Sequence, residues 1–429
     1  MTLPRSIGRW AMTGLVLNGI IGSGIFGVPP ELIRLLGRAS PLSMIVGALA
    51  IGTIVASVAE VASQFSEEGG AYLYVRTAFG RFAGLQVGWF SLLSYIGATA
   101  ANANLFVIYL GSLWPWAGRG WARAAAVVVL IGIPAVVNYV GIRGGTNLSS
   151  SLAVAKLLPL AVLIVLGLMH FGSHARLVHA SEIASPGLGA WLSAILLLVF
   201  AYGGFENPLV TGGEIQDPRR TVPFALAAGI IVCAIAYTLL QYVVVATVGT
   251  AATDYSLADA ASVLMGHSGA SFVAIAVMIS TYGWISATVL EGPRYAYAFA
   301  TEGDFPSFLG RLHPRFNTPA IAIVFFALIT CVLALTGTFL WALVLTAGAK
   351  MIYYSGMCAA LIRLRKMRPR ADALRVPFGP VLAVIGILIS LVLLTRLQRP
   401  QFLMMGATAL IGAANWWWAK RRAISAFGN

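Results

Sequence analysis

The chain has 429 residues, of which 59% are hydrophobic and 10% charged, against about 25% charged in an ordinary soluble domain. At a mean hydropathy of +0.87 most of its apolar surface could not be hidden inside a water-soluble globule, which excludes a soluble enzyme, a disordered regulator and a secreted disulfide scaffold. The net charge of +14 does not point to nucleic acid, because the basic residues fall between long apolar runs rather than on one exposed face.

About twenty apolar residues cross a bilayer. In chain order the sequence predicts spans over 11–36, 41–63, 84–113, 122–140, 148–170, 190–211, 222–248, 270–299, 319–336, 338–362, 377–396 and 401–419. The fold class is therefore an all-α polytopic membrane protein with twelve transmembrane helices. Gly337 alone marks the turn within 319–362. The first run is long enough to span and lacks an early small-residue cleavage site, so no cleavable signal peptide is expected. Residues 66–82 mix glycine, charge and aromatics, as an amphipathic stretch at a membrane face would; the loop Pro306–Pro319 is similar. Cys233, Cys331 and Cys358 lie within apolar runs and read as small core residues. Counting Lys and Arg in the short loops gives eighteen on the side of the N-terminus against seven opposite. The positive-inside rule then makes both termini cytoplasmic.

Two spans are interrupted. The first carries Gly19-Ile-Ile-Gly22-Ser23-Gly24-Ile-Phe-Gly27 and then Pro29-Pro30, and the sixth carries Phe200-Ala201-Tyr202-Gly203-Gly204-Phe205-Glu206-Asn207-Pro208. Non-helical backbone at membrane depth is tolerated only where it lines a cavity or is buried in protein. Glycine-broken helices at matching places of two halves point to a secondary-transporter site. Close helix packing through small residues is the plainer explanation of either segment taken alone. Gly22-x-Gly24-x-x-Gly27 also spells a dinucleotide fingerprint, but it lies inside an apolar span with no strand before it and no acid between Glu31 and Glu60.

With Glu214–Pro223, the run from Arg294 through Glu302-Gly-Asp-Phe-Pro306, and Leu312–Arg315, these segments resemble the amino acid–polyamine–organocation superfamily. The nearest branch is that of the L-type amino acid transporters. The resemblance covers roughly residues 10–365. It implies an inverted five-plus-five repeat (the LeuT-like fold) with broken helices 1 and 6. Residues 1–365 would form the ten-helix transport core, and 366–429 two peripheral helices and a cytoplasmic C-terminus. The animal transporters of this branch bond to a heavy chain through a cysteine after the third span; Leu113–Trp121 has none. A stand-alone, prokaryotic-type carrier of the inner membrane is the expectation, with no disulfide-linked partner and no cofactor.

A zwitterionic amino acid brings two charges into low dielectric, where each needs a partner. Amides at a broken helix, aided by its dipole, can hold the carboxylate; Ser23 and Gly24 stand there. On this reasoning Gly24→Val should block the ligand while leaving the fold intact. By resemblance, the carbonyls of Ile20, Phe200, Ala201 and Gly203 would accept from the ammonium, and the Phe200 ring would gate the site. Asn207, Thr288 and Trp284 are candidates for the side-chain pocket. Lys156, within Ala153–Pro159, has no nearby acid, and a lysine at membrane depth is a functional hypothesis by default. Resemblance gives it the place of a sodium ion used by relatives, bracing spans one and eight, and a coupling proton is a further role. Glu206 leaves gating, backbone bracing and ligand contact open. Glu291 and Arg294, three apart, read as a structural ion pair on one helix face. Lys350 has no evident partner. His170, His174 and His179 cluster without a cysteine or carboxylate before Glu182, which argues against a metal site.

The expected function is sodium-independent secondary transport of neutral L-amino acids by alternating access, as an antiporter or a proton-coupled symporter. A polyamine or cationic amino acid carrier is the alternative, and a transporter-fold sensor a more distant one. No catalytic constellation for an enzyme is present.

Overall fold

The computed structural model describes residues 7–65, 67, 69–141, 158–170, 186–250, 253–301, 303–367 and 374–427. Among them the regular elements are helices, apart from one isolated bridge between Ile7 and Ile215. The helices are α1 (Arg9–Ile20), α2 (Gly24–Gly27), α3 (Pro29–Leu36), α4 (Ser40–Ala62), α5 (Gly70–Phe79), α6 (Arg81–Leu113), α7 (Gly120–Val140), α8 (Leu158–His170), α9 (Leu188–Tyr202), α10 (Pro218–Val248), α11 (Ser256–Met265), α12 (His267–Thr301), α13 (Ala320–Thr336), α14 (Phe339–Met367), α15 (Gly379–Leu394) and α16 (Arg399–Phe427). Among the described residues six helical stretches, two of them with internal breaks, are long and apolar enough to cross a membrane: Arg9–Gly27, Pro29–Ala62, Arg81–Leu113, Gly120–Val140, Pro218–Val248 and His267–Thr301.

Local sequence explains the boundaries. α7 stops at Gly141 in the left-handed conformation, the usual glycine cap. α10 starts with Pro218 at its first position, where the missing N–H costs nothing. Gly337 is extended between α13 and α14, as its place in the sequence suggests. The stretch 66–82 contains α5, whose Ala71, Tyr72, Tyr74, Val75 and Ala78 are buried. Pro306–Pro319 departs from the amphipathic reading. Only Ser307–Gly310 forms a turn of 3-10 helix there, because Pro306, Gly310, Pro314 and Pro319 interrupt any longer one.

Two buried carboxylates hold the bundle together. Glu60 of α4 accepts Arg365 Nε at 2.5 Å and Nη2 at 2.6 Å, and the Val376 amide at 2.8 Å. It thereby ties α4 to α14 and to the segment leading into α15. Asp304, fully buried after α12, accepts Tyr72 Oη and Arg81 Nε and lies 3.3 Å from Arg76, while its carbonyl takes the Asn415 amide at 2.5 Å. One residue thus gathers α5, α6, α12 and α16. Glu60→Ala should leave Arg365 without its partner and cost about 3–5 kcal/mol, read as a lowered melting temperature in detergent. An unchanged melting point would contradict this role.

Candidate functional site

Both interrupted spans break where the glycines stand. In the first, Ile21 leaves helical backbone and the Gly22 amide bonds back to the Ile20 carbonyl at 3.0 Å, skipping the α pattern. The chain resumes at α2 and runs through Val28, whose amide bonds to the Gly24 carbonyl at 2.9 Å, into α3. In the sixth, α9 ends at Tyr202, Gly203 is extended and Gly204 has φ +105°. The segment Asn207–Glu214 that follows is a 3-10 helix rather than the continued α-helix of the 190–211 span.

The two breaks meet. Gly19 and Gly204 face each other backbone to backbone, so closely that a methyl group on either would overlap the carbonyl of the other. A second junction lies at the ends of the same elements: Ile7 N bonds to Glu214 O at 3.0 Å and Gln216 N to Ile7 O at 2.9 Å.

A cavity of about 760 Å³ adjoins the breaks, lined by Asn18 and Gly19 of α1, Tyr72 and Arg76 of α5, Asn207, and α12 from Gly283 to Phe299. A smaller one of about 270 Å³ lies beyond the opposite end of the first span, between Asn104, Arg119, Arg123, Tyr255 and Phe339. A packed column separates them. Phe339 meets the Phe200 ring edge-to-face at 6.4 Å and covers Gly27. Gly24 lies against Ala201, and Gly22 against the Trp284 ring, which lines the larger cavity. Near the smaller cavity Arg34 bonds to Glu31 and, at 2.5 Å, to Asp254, all at least partly exposed.

The predicted residues therefore divide. Gly19, Trp284, Asn207 and Thr288 line the larger cavity; Ser23, Gly24, Phe200, Ala201 and Gly203 belong to the packed column and are buried. Ser23 Oγ is buried and has no hydrogen-bond partner among the described residues. The Ser23 and Gly24 amides stand at the start of α2, where a helix leaves its first amides unpaired. The Ile20 carbonyl is taken by Gly22 N and by Tyr237 Oη at 3.2 Å. Thr288 Oγ1 donates to the Trp284 carbonyl at 2.9 Å and lies 3.0 Å from Thr99 Oγ1; Tyr95 Oη donates to Asn207 Oδ1 at 3.3 Å. Gly24 also has a packing role. A side chain there would come within 2.6 Å of Ala201 Cα, so Gly24→Val damages the contact between α2 and α9 before it concerns any ligand. Lys156, His174 and His179 lie outside the described residues.

The partner of Lys350 is Glu206. Lys350 Nζ on α14 donates to Glu206 Oε1 at 2.6 Å; Tyr353 and Tyr354 donate to Oε1 and Oε2 at 2.6 and 2.8 Å; the Gly204 amide donates to Oε2 at 2.8 Å. The lysine also fills the space beside Gly203, 2.6 Å from where a Cβ would be. Four donors answer one carboxylate, so the α9 break is clamped to α14. Sequence reasoning singled out both residues without pairing them, since 144 positions separate them. Glu291 and Arg294 do the reverse. Among the described residues no ion pair joins them, and Arg294 Nη1 donates instead to the Leu290 carbonyl at 3.2 Å; both side chains open into the larger cavity.

Residues 7–419 match the family model described as amino acid permease. The chain is similar to the serine/threonine exchanger SteT of Bacillus subtilis (strain 168), 26% identical over 429 residues, 96% of this chain and 95% of that protein. It is also similar to the glutamate/serine transporter AimA of the same organism, 26% identical over 75% of this chain and 64% of that one. A third relative is the human cationic amino acid transporter 4, 27% identical over 78% of this chain and 55% of that one. The chain belongs to the amino acid permease family and is an amino acid transporter of the amino acid–polyamine–organocation superfamily, not an enzyme.

Proposed function

We propose that the protein carries neutral L-amino acids across the inner membrane by alternating access, without sodium, as an exchanger or a proton symporter. The observation that carries this reading is the packed column itself. The two broken helices touch at Gly19 and Gly204 in a layer with one cavity on each side. A carrier needs such a layer, closed toward one compartment while the other cavity reaches the bound ligand. Twelve crossings, an inverted five-plus-five core over 1–365 and two peripheral helices over 366–429 fit this scheme. With both termini cytoplasmic, the larger cavity opens inward. The substrate carboxylate is assigned to Ser23 and Gly24 and its ammonium to carbonyls at Phe200, Ala201 and Gly203, joined by that of Ile20 once Gly22 and Tyr237 release it as the layer opens; Phe200 and Glu206 gate the layer.

The apolar surroundings of the breaks favour a neutral side chain, and the relatives that carry serine and threonine agree with a small one. A cationic substrate or polyamine is the second reading, favoured by the Glu291 carboxylate in the larger cavity, and Arg294 one turn away offsets that charge. Uptake of labelled amino acids into proteoliposomes, with and without internal amino acid and a pH gradient, tests the proposal. Acceleration by internal neutral amino acid, unaffected by sodium, is expected; uptake confined to lysine, arginine or polyamines would overturn the neutral assignment. Lys156→Ala should lower this uptake at least tenfold at every sodium concentration if its ammonium stands in for the ion, as one charge-assisted contact of about 1.5–3 kcal/mol implies. A variant with wild-type kinetics across about pH 5 to 8 would remove Lys156 from the mechanism.

A further inference from the structure

Along the larger cavity α12 presents Trp284, Thr288, Glu291, Arg294, Tyr295 and Ala298 at helical spacing. Glu291 and Arg294 are its two charges, on a helix otherwise apolar enough to cross a membrane. At i,i+3 spacing their side chains start about 5–6 Å apart and can reach each other. They do not. Among the described residues no ion pair within 4.0 Å joins them, and none of those residues donates a hydrogen bond to Glu291. One Arg294 nitrogen is used by the Leu290 carbonyl, which leaves the rest of the guanidinium fork to face the cavity. The other charges on the wall are Glu67 and Arg76, and Arg76 is engaged with Tyr72 and Asp304. A carboxylate at membrane depth needs an answering group, from water or from a ligand.

The geometry points to a second amino acid station in this cavity, separate from the packed column. Glu291 receives the ammonium of an α-amino acid and Arg294, one turn along α12, receives its carboxylate. An opposed pair on one cavity wall that does not close on itself within 4.0 Å suits a ligand that carries both charges on one carbon. A pair closed on itself would have no such use. A cavity of about 760 Å³ has room for one small amino acid with water around it. The station rests on the amino acid reading above and deepens it: it captures substrate from the larger cavity before the column opens, so it governs affinity on that side alone.

The test is sided exchange kinetics in oriented proteoliposomes, with half-saturation measured separately for internal and external amino acid. Glu291→Gln and Arg294→Gln should each raise the value on the cavity side about tenfold, as loss of one charge-assisted contact does. The value on the opposite side should stay within about twofold. Glu291→Asp should restore the cavity-side affinity, which a merely structural substitution would not. As internal inhibitors, an amino acid amide, which lacks the carboxylate, should lose potency with Glu291→Gln, and an acid without the amine with Arg294→Gln. Equal changes on both sides, or no change on the cavity side, would overturn the station while leaving amino acid transport intact. Absence of any amino acid exchange by the wild-type protein would instead sink the functional reading, and the station with it.

Discussion

Lys350→Met should abolish transport and lower stability by about 3–5 kcal/mol, the usual cost of leaving one member of a buried ion pair behind. The methionine keeps the length of the side chain, so the loss isolates the charge. Glu206 would still accept Tyr353, Tyr354 and the Gly204 amide, but its negative charge would have no cation within reach at membrane depth. The double variant Lys350→Met/Glu206→Gln separates the two consequences. A neutral pair can be as stable as the ionic one, so its melting temperature should return most of the way. Transport should not return, because a single amide oxygen cannot serve both tyrosines and the Gly204 amide as two carboxylate oxygens do. Wild-type flux in Lys350→Met, with an unchanged melting temperature in detergent, would show that the pair is dispensable.

Gly204→Ala is the second change with a large expected effect. Its φ of +105° is a conformation that side chains rarely adopt, and the added methyl would overlap the Gly19 carbonyl. Strain of about 1–3 kcal/mol adds to an overpacking cost of similar size. The breaks should be forced apart, with loss of transport and a lower melting temperature. Gly14→Ala on α1 is the control, since a methyl there meets nothing within 4 Å and alanine favours helix; it should be neutral or slightly stabilising. Equal behaviour of the two variants would mean that contact between the breaks carries no weight.

What could be read from the sequence depended on how far apart the partners were. The breaks themselves were legible, because glycine clusters inside apolar runs are local signals and the helices end within a residue or two of them. Gly337 was legible for the same reason. The 3-10 turn after Glu206 was less so: Pro208 marks a disturbance but does not say which helix replaces the α form. Pairings across the chain left no local mark. Glu60 with Arg365, Asp304 with Arg81, and Glu206 with Lys350 each join residues more than a hundred positions apart. The one pairing that spacing suggested, Glu291 with Arg294, does not close; both side chains line the larger cavity, and Arg294 donates to the Leu290 carbonyl instead. Helical periodicity tells which residues share a face; it does not tell what stands opposite.

The Arg34, Glu31 and Asp254 cluster has a consequence of its own. These groups are partly or wholly exposed, so dissolved ions weaken their attraction, within about 8–10 Å at physiological ionic strength. The Glu206 clamp is shielded from solvent by the bundle and is nearly insensitive to the same ions. The molecule therefore carries two fastenings with different responses to the medium, one set by brine and one by packing. Added salt should weaken only the first, and sugar at the same osmolarity should weaken neither.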